Sequence, residues 1–154
     1  VENVIDNTNQ ILIFDLIIEM VEHLRKGHDL KDFDFSTSET WHEFSLPEQS
    51  AAYSWVLERQ DYLKRKTKSY PPRVLHIAER MILSKEAWAW FLKLENLCII
   101  DQSGIEKIIE LLMMNYDTDM SLKNFKELVV PMLLDTDDSG KNLFPRLKGN
   151  ESVN

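Results

Sequence analysis

Apolar residues recur at helical steps along most of this chain, in short stripes separated by polar turns that carry helix-capping residues. Over residues 10–26, Ile11, Phe14, Ile17, Ile18, Val21 and Leu24 fall three and four apart, which predicts a helix with one buried face stopped by Gly27. Residues 29–35 alternate charged and aromatic side chains and fit a loop or a short edge strand equally. Ser36 with Glu39, and Ser45 with Glu48, have capping-box spacing. The first predicts a short helix bearing Trp41 and Phe44. The second predicts a helix ending near Lys64, with Pro47 in its first turn and Ala52, Trp55, Val56, Tyr62 and Leu63 on one side.

Residues 64–72, KRKTKSYPP, break the pattern: a cation run disfavours burial, and Pro71–Pro72 cannot continue a helix. Beyond them, residues 73–77 lean towards a strand. Ser84 then caps a helix from Lys85 to about Cys98, with Trp88, Phe91, Leu92 and Leu94 on its apolar side. Asp101 and Ser103 open another, with Ile105, Ile108, Ile109, Leu112 and Met113 on one face. Ser121 caps a last helix carrying Leu122, Phe125, Leu128, Val129 and Met132, kinked or weakened by Pro131. The expected architecture is mainly α, with one or two short strands, in two small helical lobes of winged-helix-like or helix-turn-helix-like arrangement. An acidic lobe spans 10–64, a basic Pro-containing hinge 65–72, a second lobe 73–135 and a flexible tail 136–154.

At 154 residues with 44% apolar content, the chain can bury a core, and 4 Gly and 5 Pro argue for helices over a loop-rich barrel. A net charge of −8 disfavours non-specific binding to phosphate backbones. The single cysteine excludes an internal disulfide framework and a thiolate-rich zinc site. The apolar stretches are too short and too interrupted by charge to span a bilayer. The start lacks the layout of a secretion signal, so a cytoplasmic location is expected.

Candidate chemistry is thin. Residues 135–142, DTDDSGKN, imitate the start of a calcium loop, but position twelve is Arg146, which would repel the ion. His23, His28, His42 and His76 have no metal-ligand pairing, and Cys98 sits among apolar neighbours where a thiol packs rather than reacts. Serine-nucleophile elbows and phosphate-cradling glycine loops are absent. No catalytic residue, metal or cofactor is therefore expected.

Lys64, Arg65, Lys66, Lys68 and Arg73, with Tyr70 interleaved, form one cationic cluster. It is a solvated linker, a run that folds back onto the acidic first lobe, or a grip for an acidic protein or nucleic acid. Trp88 and Trp90, two apart on a helix, do not share one face. Trp90 is the candidate exposed anchor, against the plainer reading that both rings are buried.

The segment RVLHIAERMILSKEAWAWFLKLENLCIIDQSGIEKIIELL at residues 73–112 resembles the bacterial Smg family. FDLIIEMVEHL at 14–24 is similar to that family's opening helix, AAYSWVLERQDYL at 51–63 to its Trp-bearing helix, and SLKNFKELVVPMLLD at 121–135 to its closing helix. The chain departs from the pattern at Gly104-Ile105-Glu106, at Glu127 or its neighbour where a tryptophan is expected, and at Pro131. The tail after Asp135 has no counterpart. The resemblance implies a cytoplasmic bacterial-type helical protein and brings no catalytic residues. Together these readings predict a non-enzymatic protein that binds another protein, with nucleic acid as the alternative partner; they leave the oligomeric state open.

Overall fold

A computed structural model describes residues 7–37, 44–65, 67, 70–116 and 119–134. It is mainly helical, with α1 (Asn7–Arg25), α2 (Leu46–Arg65), α3 (Ile77–Ile82), α4 (Lys85–Asn96), α5 (Gln102–Asn115) and α6 (Leu122–Leu134) among the described residues. The chain divides between Lys66 and Thr67 into two compact units.

In unit 1, α1 and α2 pack together, and their C-terminal ends meet. Arg25 at the end of α1 donates from Nη1 to the Leu63 carbonyl of α2 at 2.9 Å, and Lys64 pairs with Asp29 at 3.3 Å. The connector must therefore return to the start of α2. Its rings mark the route: Phe33 sits edge-on to His23, Phe35 follows, and Phe35 meets Tyr53 midway along α2. The connector holds two 3₁₀ turns, Leu30–Asp32 and Phe35–Thr37, and no strand among its described residues. Leu16 and Met20 of α1 are buried along with Phe14, Ile17, Ile18, Val21 and Leu24 of the expected stripe, whose Ile11 is half-buried, and so are Leu30 and Phe44 of the connector. The helix expected after Ser36 lies largely outside the described residues, with Trp41; Ser36 itself donates backbone and hydroxyl hydrogens to Asp34.

Gly27 stops α1 with φ +92°, where a side chain would be strained. Ser45 starts α2: its Oγ accepts from the Glu48 N–H at 3.4 Å while donating to the Glu48 carboxylate.

Unit 2 depends on three side-chain caps. Ser84 accepts from the Ala87 N–H, Asp101 from the Gly104 N–H and Ser121 from the Asn124 N–H, opening α4, α5 and α6. An isolated parallel bridge joins Leu83 to Met120, so α4 and α6 leave from one point and pack side by side. Phe91 and Trp90 of α4 both meet the Phe125 ring edge-on, at 5.0 and 5.8 Å. Phe91, Leu94, Ile99, Ile105, Ile108, Phe125 and Val129 are buried around them.

Several expectations need correction. Residues 73–77 form no strand: Pro71 and Pro72 lack an N–H, and the His76 N–H goes to the Glu79 carboxylate, starting α3 instead. α4 stops at Asn96, and Cys98 lies beyond it in the left-handed region with φ +61°. Its N–H bonds to Glu95 and that of Ile99 to Leu94, the closure usually given to glycine. α6 runs through Pro131 to Leu134. The residues from Asp135 onward, including the calcium-like loop, lie outside the described residues.

Asp101 supplies the first-turn acceptor of α5, so Asp101→Ala will lower the stability of unit 2 by about 1 kcal/mol. Asp101→Ser will recover most of that loss. Urea unfolding followed by circular dichroism checks both.

Candidate functional site

Three of the five cations, Lys64, Arg65 and Arg73, are described, and each meets a carboxylate. Arg73 closes on both carboxylate oxygens of Glu79, at 2.7 and 2.8 Å, and its Nε donates to Glu106 of α5. The side chains of Arg73 and Glu79 are 19% and 12% exposed. The bidentate bond to Arg73, with a further bond from the His76 N–H, holds the Glu79 carboxyl down at about 2, and Glu79 raises the Arg73 pKa in turn. Lys64 pairs with Asp29, and the exposed Arg65 with Asp61 at 3.8 Å. Lys66 and Lys68 lie outside the described residues. The five cations are thus not gathered into one described surface.

Tyr70 is likewise tied down. Its hydroxyl donates to Glu95 at 2.8 Å, and Glu95 is only 2% exposed. Burial first, then this bond, pushes the Tyr70 phenol above its ordinary range. Trp88 and Trp90 are both half-buried, so neither extreme expected for them holds. Trp90 lies between the Phe125 edge and the Lys126 ammonium, 5.6 Å from its ring.

The sequence reading missed the surface that stands out. Val74, Ile77 and Met81 are 72%, 78% and 70% exposed. Ile77 and Met81, four apart, share one face of α3, while Ile82 on the other side is buried. Met113 and Met114 are also exposed, at the end of α5, the helix against which α3 packs. Fully burying each such side chain is worth about 1.5–3 kcal/mol, so the fold leaves this contact energy unspent. Single exposed apolar residues such as Leu46 are ordinary; several on one short segment mark a contact surface. The spacing of Val74, Ile77 and Met81 is visible in the sequence, but assigning 73–77 to a strand separated them.

Unit 1 has an open polar recess of about 470 Å³, lined by Glu19, Glu22, His23, Lys26, His28 and Asp32 among others. The His23 and His28 rings lie 5.0 Å apart, and His23 Nε2 bonds the Asp29 carbonyl at 2.8 Å. Among the described residues, no group of three or more His, Cys, Asp or Glu is placed to hold a metal ion. No described helix is long and apolar enough to cross a membrane.

The Arg73–Glu79 pair also sets an acid response. The folded carboxyl stands at about 2 against 4.5 for the free group, so the unfolded chain takes up this proton first. Its stabilisation is complete above pH about 4.5 and disappears as pH falls towards 2. Glu79→Gln will therefore lower the urea midpoint at pH 7, and its gap from the parent protein will close on acidification. A gap independent of pH would remove the charge from the account.

Comparison with curated proteins and with solved structures finds no match. A family model described as "Protein of unknown function (DUF494)" matches residues 13–144, reaching into the tail that the motif comparison left without a counterpart. With the match covering most of the chain and both units, this protein belongs to the DUF494 family, the family of the Smg protein.

Proposed function

We propose that this protein is a non-enzymatic cytoplasmic interaction module that docks another protein on the apolar face of α3. The carrying observation is the exposure of Val74, Ile77 and Met81, each at least 70%, on a segment clamped from behind by Arg73, Glu79 and Glu106. A clamped face costs little ordering entropy on binding, which favours recognition by contact. The exposed Met113 and Met114, on the helix against which α3 packs, are soft, adaptable side chains of a kind suited to a partner's apolar groups.

A nucleic-acid role is the second reading. The two-residue turn between α3 and α4 supports it, because this resembles a helix-turn-helix arrangement. Against it stand the net charge of −8 and the engagement of Arg73, Lys64 and Arg65 by carboxylates. The apolar face counts further for a protein partner, since phosphates have no use for it.

Affinity purification from a native lysate, with and without nuclease, separates the two. The expected result is a nuclease-resistant protein partner whose recovery falls about tenfold or more with Ile77→Asp, the scale of one anchor side chain. Ile77 is exposed, so this variant will fold as the parent does. Equal recovery with Ile77→Asp, or loss of every partner on nuclease treatment, would overturn the reading.

A further inference from the structure

We infer that the occupant of the α3 face is an amphipathic segment of a different protein, with carboxylates flanking its apolar anchor. This deepens the docking role proposed above and rests on it. Taking about 100° per residue, Ile77 and Met81 lie about 40° apart around α3, and Arg80 borders them about 60° to one side. Arg80 and His76 are exposed, as is Lys85 just beyond the turn. Glu79 is the one acidic residue between positions 73 and 85, and its carboxylate faces Arg73. Outward, Arg80 and Lys85 therefore place two cations beside the apolar groups, with Glu86 following Lys85 in the chain and Glu106 answering Arg73.

That charge pattern decides between occupants. A second copy docking α3 on α3 about a two-fold axis brings Arg80 and its neighbours towards their own counterparts, placing like charges in the rim. A segment with carboxylates beside its anchor meets those cations with the opposite sign. Because the whole chain is acidic, the attraction is local, acting within about a Debye length of 10 Å.

The test places a photo-crosslinking amino acid at position 77 of the full chain in cells of its source, with position 57 on α2 as the control. Adducts are then sequenced by mass spectrometry. The expected adduct is on a different protein, at an apolar residue with carboxylates within one helical turn. Its yield will fall about tenfold with Arg80→Glu and hold with Arg80→Lys. The Arg80 side chain is exposed, so both variants will keep the parent's circular dichroism spectrum. An adduct to a second copy, to a basic or uncharged segment, or one indifferent to Arg80→Glu would overturn the acidic-partner inference and leave docking on α3 intact. No protein adduct above the position-57 control would overturn docking itself.

Discussion

The Arg73 guanidinium is the constraint on which the exposed face of unit 2 depends. It grips both oxygens of Glu79 in the first turn of α3 and reaches Glu106 on α5 with its remaining nitrogen. One side chain thereby fixes an extended segment, a helix start and a second helix. α3 has only six residues, too few to hold a helix alone in water. The ion cluster, with Ile82 and Leu83 buried beneath, supplies that order and leaves Ile77 and Met81 outward. A cation that the sequence offers for a partner is thus spent on presenting the apolar groups beside it.

Unit 1 solves a different electrostatic problem. Bringing the C-terminal ends of α1 and α2 together gathers two negative dipole ends in one place. His23 and Arg25 occupy the last turn of α1, and Lys64 and Arg65 that of α2. Arg25 bonds a terminal carbonyl directly, answering both the unsatisfied acceptor and the field. The basic run that reads as a hinge therefore begins as the counter-charge of a helix end.

Much of the fold was legible in the sequence because helix starts are written locally. Ser45, Ser84, Asp101 and Ser121 each open the helix expected of them, since a short polar side chain ahead of an apolar stripe is placed to accept the N–H three residues on. The helix end near Cys98 was legible only to within two residues, because a left-handed residue other than glycine leaves no signature. The α3 helix was hidden for a different reason: its stability comes from Arg73 and Glu106, which lie 33 residues apart in sequence. The candidate surface was only half legible. Spacing marks which apolar residues share a face, but it does not say whether that face is covered.

The central claim is that a folded, clamped scaffold holds an apolar face in water. Methionine oxidation under native conditions reads this directly, because the six methionines sample both environments. Met81 and Met114, 70% and 76% exposed, should oxidise rapidly, while Met20 and Met120, 0% and 7% exposed, should be protected until the protein unfolds. Oxidation of Met81 no faster than that of Met20 would contradict the account, since the α3 face would then already be covered.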